Sequence, residues 1–293
     1  MGYFEFFKLI RDNDKLFKLF FLFSFMAKTI GVLSLKGGVG KTSAVVALGD
    51  ALSNFGKKVL LVDANFSAPN LGIHFNIIDP ETTLHDVLSK KANISQAIYK
   101  LGENLHLIPS GVFANNQINP MKLRDNLKYL KKSYDVILID SSPALNEETL
   151  AAMYASDELL VVTTPDYPTM ATTLKAVKMA KERGTPISGL IINQVHGKDF
   201  EIPIKDIEKT IDVPVMAVIP YDINVLKSVS DFIPSTSFKP NSKGSIEYKK
   251  LAATLIGEKY RPHRFRDMMN VWRTIVPEKQ DINREIYYHR VFQ

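Results

Sequence analysis

Cysteine is absent from this 293-residue sequence, and its absence excludes disulfide bonds, thiolate-bound metals and iron–sulfur clusters. It also fits a reducing cytoplasm, where we place the protein. Long apolar runs are lacking as well. The most hydrophobic stretch, residues 15–25, contains Lys15 and Lys18 and is shorter than the roughly 20 residues that a bilayer-spanning helix needs. The remaining composition, 45% hydrophobic and 23% charged, is ordinary for a globular protein.

The net charge of +6 comes mostly from the two ends of the chain. Residues 1–28 carry five Lys and Arg against three Asp and Glu, and residues 257–293 carry eight against five. Such an excess is typical of tails that meet an anionic surface. The alternative is that solvated tails simply accumulate basic residues.

Residues 1–26 form an apolar and basic extension that allows two interpretations. No small-residue cleavage site follows it, unlike in a secretory signal peptide. The extension is either an interfacial membrane anchor, with Lys15 and Lys18 facing lipid phosphates, or an artefact of a start assigned upstream of Met26. The strand predicted soon after Met26 favours the second interpretation.

Short β-branched runs alternate with amphipathic helical stretches from Thr29 onward. Strands are predicted over residues 30–35, 58–62, 105–108, 136–139, 159–162, 187–192 and 215–219, and helices over 41–55, 83–90 and 119–132. This alternation predicts an α/β fold with a doubly wound, mostly parallel sheet that has helices on both faces. We expect one domain over residues 27–257, followed by a basic amphipathic tail over 258–293.

A glycine-rich loop lies between the first predicted strand and the first predicted helix, where a phosphate-binding loop must lie. Its glycines let successive backbone N–H groups face an anion, and the helix N-terminus adds partial positive charge. Lys41 would reach the β- and γ-phosphates of ATP, and the Thr42 hydroxyl would bind Mg²⁺. The strict pattern has glycine at position 35, where this sequence has Leu35. The nucleotide-binding residues predicted from the loop are Gly37, Gly38, Val39, Gly40, Lys41, Thr42 and Ser43.

With a second lysine at Lys36, the loop resembles the deviant Walker A motif of the MinD/ParA family, and the resemblance covers about residues 27–257. It implies that Lys36 crosses a dimer interface to reach the ATP of the other subunit. A cation supplied in this way would tie hydrolysis to dimerisation. Lys36 and Lys41 are therefore two of the predicted catalytic residues.

Asp140 follows an apolar strand and resembles the Walker B aspartate, which holds Mg²⁺ through water. A carboxylate there lies at the carboxyl edge of the sheet, beside the phosphate loop. Taken alone, such a residue is more often a helix cap, but the phosphate loop favours the Mg²⁺ interpretation. Thr42 and Asp140 are thus the predicted metal-binding residues.

Asp63 and Asn65 follow the second predicted strand and resemble the switch I segment, in which the family usually has two aspartates. Asp63 is the third predicted catalytic residue, in the network of water and Mg²⁺; its alternative role is to cap the next turn. Asn65 can orient the attacking water but cannot accept its proton, so slow hydrolysis is expected.

Asn193 and the turn of Pro220, Tyr221 and Asp222 match positions at which members of the family contact adenine. We predict that Asn193, Pro220 and Asp222 bind the nucleotide. Each alone is equally well explained as a capping or turn residue.

The tail has the pattern of a helix with one apolar face and arginines on its other faces. The apolar face, or apolar stripe, consists of Phe265, Met268, Met269, Trp272 and Ile275. It resembles the membrane-binding helix that ends MinD-type proteins. The alternative is that the stripe packs against the protein body.

The resemblance implies an ATPase that dimerises on binding ATP and acts as a spatial switch in cell division or intracellular positioning. It would work with an activating partner protein, at an anionic membrane surface, as a cytoplasmic or peripheral membrane protein. One alternative is a ParA-type DNA-segregation ATPase, which the near-neutral body disfavours. Another is a metabolic enzyme of the dethiobiotin-synthetase kind, which the second lysine of the loop, Lys36, disfavours.

Overall fold

The computed structural model describes residues 27–114, 118–261 and 278–293. Its centre is an eight-stranded sheet in the order β3-β4-β2-β5-β1-β6-β7-β8. The strands are β1 (Lys28–Leu33), β2 (Val59–Ala64), β3 (Tyr99–Lys100), β4 (Leu105–Ile108), β5 (Val136–Ser141), β6 (Glu158–Thr163), β7 (Ile187–Val195) and β8 (Val215–Pro220).

Seven of the eight strands pair in parallel, which confirms the predicted doubly wound sheet. The central strands are buried on both faces, which is why they read as unbroken β-branched runs in the sequence. The sequence did not indicate β3, a two-residue strand that pairs antiparallel with β4 at one edge. A two-residue strand is too short to show the alternation of apolar and polar residues that marks a strand in a sequence.

Helices cover both faces of the sheet. They are α1 (Lys41–Asn54), α2 (Leu84–Leu88), α3 (Leu123–Leu127), α4 (Glu147–Ala155), α5 (Tyr167–Glu182), α6 (Ile204–Ile211), α7 (Ile223–Ser230), α8 (Ser235–Phe238), α9 (Lys243–Leu255) and α10 (Lys279–Phe292). One face packs against α1, α9 and α10, and the other against α2 to α6.

The helix predicted over residues 119–132 is shorter than expected. It consists of a 3₁₀ turn, Pro120–Lys122, followed by α3. Beyond α3 the backbone bonds span three residues, from Leu130 N–H to the Leu127 carbonyl and from Ser133 N–H to the Leu130 carbonyl. The α-helix therefore ends at α3, and the chain continues with 3₁₀-type turns before it enters β5.

Helix α10, from the predicted tail, packs on β8 and α9. Asn283 Nδ2 donates to the Val215 carbonyl at 2.8 Å, and Arg284 Nη1 donates to the Met216 carbonyl at 2.7 Å. The extension of residues 1–26 and residues 262–277, which include the whole apolar stripe of 265–275, lie outside the described residues. The division at residue 257 therefore stays a prediction. No helix within the described ranges is long and apolar enough to cross a membrane.

Candidate functional site

The phosphate loop connects β1 to α1 at the carboxyl edge of the sheet. Gly38 and Gly40 have φ angles of +81° and +82°, which only glycine adopts without strain. A Cβ on Gly40 would also lie 2.3 Å from Asn193 Nδ2. The loop thus takes the curled form that the sequence predicts, with Gly37 and Gly38 exposed.

Lys41, Thr42 and Asp140 converge below the loop. The Lys41 ammonium contacts the Asp140 carboxylate, and Thr42 Oγ1 donates to Asp140 Oδ2 at 2.7 Å. Asp140 is fully buried, so the Lys41 cation offsets its charge. A hydroxyl and a carboxylate oxygen are ligands that suit Mg²⁺, which usually keeps water and phosphate oxygens as its other ligands. These residues therefore fit Mg-ATP.

Asp63 lies beside Asp140, to which it is paired in register across β2 and β5. Its buried carboxylate accepts hydrogen bonds from the backbone N–H groups of Asn65, Asn70 and Leu71, at 3.0 to 3.2 Å. Burial, and secondarily the charge of Asp140, raises the pKa of Asp63 to about 7. The carboxyl group can therefore exchange a proton near neutral pH.

Asn65 is 4% exposed, and its amide orientation is fixed by Nδ2, which donates to the Ala68 carbonyl at 2.5 Å. Its Oδ1 atom accepts no hydrogen bond from the described residues. An acceptor of this kind, close to Asp63, suits a water molecule. Asn70 was missed in the sequence, where no local pattern marks it. Its side-chain Oδ1 atom lies 3.0 Å from Thr42 Oγ1.

Lys36, unlike Lys41, pairs with residues at the N-terminus of α5. Its ammonium lies 3.2 Å from Asp166 Oδ1 and 2.6 Å from Thr169 Oγ1, and its side chain is 40% exposed. Burial alone would raise the pKa of Asp166, but hydrogen bonds from Thr164, Thr169 and Lys36 lower it to about 2. Neither Asp166 nor Thr169 was predicted. The only signal was that Asp166 has the residue type and position of a helix cap, and it does cap α5.

The three predicted adenine contacts are only partly brought together. Asn193, at the end of β7, donates from Nδ2 to the Val39 carbonyl at 2.8 Å, and the neighbouring Gln194 donates to the Gly38 carbonyl at 2.9 Å. Pro220 ends β8, and Asp222 caps α7 by accepting from Asn224 N–H at 2.9 Å. Asn193 therefore contacts the loop, whereas Pro220 and Asp222 lie at the end of the adjacent strand.

A cavity of about 240 Å³ opens beside the loop. Its lining includes Lys36, Gly38 and Asp166 on one side and Gln194 and His196 on the other. The His196 ring stacks on Tyr221, with centroids 4.7 Å apart.

Comparison with known proteins agrees with this geometry. Residues 27–183 match a family described as an AAA domain. The chain is 36% identical to an uncharacterised ATP-binding protein of Methanocaldococcus jannaschii, over 80% of this chain and 90% of that protein. It is 30% identical to the septum site-determining protein MinD of Thermotoga maritima, over 80% and 89%. The solved structure of Pyrococcus horikoshii MinD with Mg-ADP superposes with a TM-score of 0.75, at 35% identity over 78% of this chain and 96% of that one.

The phosphate loop, the buried cluster of Lys41, Thr42 and Asp140, and these similarities lead to one assignment. The chain belongs to the MinD/ParA family of P-loop ATPases, and its cofactors are ATP and Mg²⁺.

Proposed function

We propose that this protein is a regulatory ATPase of the MinD type, which dimerises on binding ATP and acts as a spatial switch in cell division or intracellular positioning. The observation that supports this proposal is the environment of Lys36. Lys41 is buried against Asp140 and would serve the nucleotide of its own subunit, whereas Lys36 is partly exposed and pairs with Asp166 and Thr169. Lys36 is thus available to a second subunit.

Within one subunit, we assign roles by position. The backbone of Gly37, Gly38, Val39 and Gly40, with Ser43 beyond, would hold the phosphates, and Lys41 would offset their charge. Thr42 and Asp140 would hold Mg²⁺, which would supply positive charge to stabilise the phosphates during hydrolysis. Asn193, Pro220 and Asp222 would contact the purine end.

The attacking water would lie near Asp63 and Asn65. The free Oδ1 of Asn65 would accept a hydrogen bond from this water and orient it. Asp63, whose pKa lies near 7, would take part in the surrounding proton network. Because Asn65 itself cannot accept a proton, we expect slow turnover until the partner's Lys36 completes the charge stabilisation.

In the proposed cycle the ATP-bound dimer binds an anionic membrane or an activating partner protein, and hydrolysis releases it. Light scattering with ATP and with ADP tests the dimerisation step. We expect wild-type protein to double in mass with ATP only, and Lys36→Ala to bind ATP yet remain monomeric. Lys132→Ala is the matched control and should behave as wild type, because Lys132 is exposed and follows Lys131, which binds Ala27 at the amino edge of the sheet. ATP-dependent dimerisation of Lys36→Ala would refute the role of that lysine in the dimer.

A further inference from the structure

One flank of the body is strongly basic, although the body as a whole is close to neutral. Residues 84–132 contain eight Lys and Arg against three Asp and Glu, a net of +5 in a chain whose total is +6. The near-neutral body described above is therefore an average of a basic flank and a slightly acidic remainder. The basic residues are Lys90, Lys91, Lys100, Lys122, Arg124, Lys128, Lys131 and Lys132.

A groove of about 640 Å³ crosses this flank, between the α2 region and α3. Its floor is apolar: Val87 and Leu130 are buried, and Ile94 is half-buried. Lys90 and Tyr129 line its rim, and Tyr129 is 78% exposed. Tyrosine is enriched in protein–protein interfaces relative to the rest of the surface.

The acidic residues nearest the groove are already engaged within the chain. Asp86 accepts hydrogen bonds from the backbone N–H and the hydroxyl of Thr83, at 2.9 and 2.7 Å. Asp125 lies 3.6 Å from Lys122. Lys90 lines the groove, and the exposed Lys128 directly precedes the rim residue Tyr129. Neither lysine forms an ion pair with the described acidic residues, so both add positive charge near the groove.

We propose that this groove binds an acidic protein segment that carries one apolar anchor residue. The anchor would lie on Val87, Ile94 and Leu130, beside the Tyr129 ring, while acidic residues on either side of it face Lys90 and Lys128. Concavity disfavours a flat lipid surface. A nucleic acid backbone would use the lysines but would leave the apolar floor exposed. The combination of apolar floor and basic rim fits a peptide best.

The groove is one helix away from the nucleotide site. Helix α2 supplies Val87 to the floor, and on the same helix the His85 ring packs edge-on against Phe66, with centroids 5.5 Å apart. Phe66 directly follows Asn65. A segment bound in the groove therefore contacts the helix that supports the proposed water-orienting residue.

Fluorescence anisotropy with a short labelled peptide, one leucine flanked by glutamates on both sides, tests the proposal on the full chain. We expect saturable binding with a Kd at or below about 1 mM. The double variant Lys90→Glu/Lys128→Glu should weaken binding by at least about tenfold, and replacing the leucine of the peptide by serine should weaken it by about tenfold. Lys205→Glu is the matched control and should bind as wild type.

Basal ATP hydrolysis should be unchanged in Lys90→Glu/Lys128→Glu, which separates this proposal from the assignment of the nucleotide site. Three results would overturn it: no saturable binding by wild type, equal binding by the double variant, or equal binding of the serine peptide. Binding of an oligonucleotide or of phosphatidylglycerol vesicles through Lys90 and Lys128, without binding of the peptide, would also overturn it.

Discussion

Lys36 and Lys41 belong to one short loop but lie in opposite environments. Lys41 is 7% exposed and contacts the buried carboxylate of Asp140, while Lys36 is 40% exposed and pairs with Asp166. Removing one partner of a buried ion pair destabilises a protein much more than removing one partner of an exposed pair. Substitutions at the two lysines should therefore have different consequences.

Lys41→Ala should abolish ATP binding, because no other side chain of the loop can offset the phosphate charge within the subunit. It should also destabilise the fold by about 3 kcal/mol, since Asp140 stays buried without its cation. Calorimetry gives the affinity and urea denaturation the stability. The double variant Lys41→Ala/Asp140→Asn should regain most of the stability and still fail to bind ATP. Unchanged affinity in Lys41→Ala would mean that the phosphate site is misassigned.

Asp63 gives the ATP-free protein a pH dependence of its own. Burial and Asp140 raise its pKa from the ordinary 3.8 to about 7, so the folded state retains a proton that the unfolded chain releases. The stabilisation is complete below pH 3.8 and is lost as pH rises to about 7. Urea denaturation across this range should show the loss in wild type and a flatter profile in Asp63→Asn. Parallel profiles would contradict the raised pKa.

Asn65→Asp should accelerate hydrolysis if a carboxylate at this position activates water. It should also destabilise the ATP-free protein, because the new carboxylate would face the Ala68 carbonyl and lie near Asp63 and Asp140. Phosphate release measures the first effect and thermal melting the second. Asn65→Ser, which keeps a small polar side chain, is the control. An unchanged rate would show that Asp63 or the backbone already activates the water.

At the scale of secondary-structure elements, α10 is attached by polar contacts. Arg284 is 5% exposed and donates to the Glu247 carboxylate at 2.9 Å as well as to the Met216 carbonyl. Lys28 and Glu158, at the starts of β1 and β6, contact Tyr287 of the same helix. The helix therefore braces the amino edge of the sheet, opposite the nucleotide site.

Arg284→Ala should lower the free energy of unfolding by about 2–3 kcal/mol, because Glu247 would then have Lys250 as its remaining partner. Arg290→Ala is the matched control on the same helix. It removes only an exposed cation–π contact with the Tyr287 ring, at 5.5 Å, and should change the free energy of unfolding by less than about 1 kcal/mol. Urea midpoints measure both. Equal, small effects would mean that α10 contributes little to the body.

How far the sequence predicts the elements depends on how local the signal is. The phosphate loop and the seven parallel strands were predicted because β-branched runs and glycine turns are read within a few residues. The partners of Lys36, which are Asp166 and Thr169, lie about 130 residues away along the chain and are brought to it only by the fold. The burial of Asn283 and Arg284 was also hidden, because polar side chains do not indicate a packed helix face.

For the whole molecule, the nucleotide site and the contacts of α10 lie at opposite edges of the sheet. The phosphate loop and Asp140 lie at the carboxyl edge, whereas Lys28 and Glu158, which contact Tyr287 of α10, lie at the amino edge. In the proposed dimer two copies would meet through their carboxyl edges, where Lys36 is exposed. The amino edges and the basic flank would then stay accessible to other partners.

The central claim, that Lys36 acts on the ATP of the other subunit, is tested most directly by mixing two inactive variants. Lys36→Ala binds ATP but offers no lysine to its partner, whereas Asp63→Asn binds ATP and retains Lys36 but lacks the carboxyl group proposed to act in its own site. In a mixed dimer the two defects fall on different subunits, and one complete site results. Phosphate release by the mixture should therefore exceed the sum of the rates of the separate variants. A mixture no more active than that sum would contradict the claim.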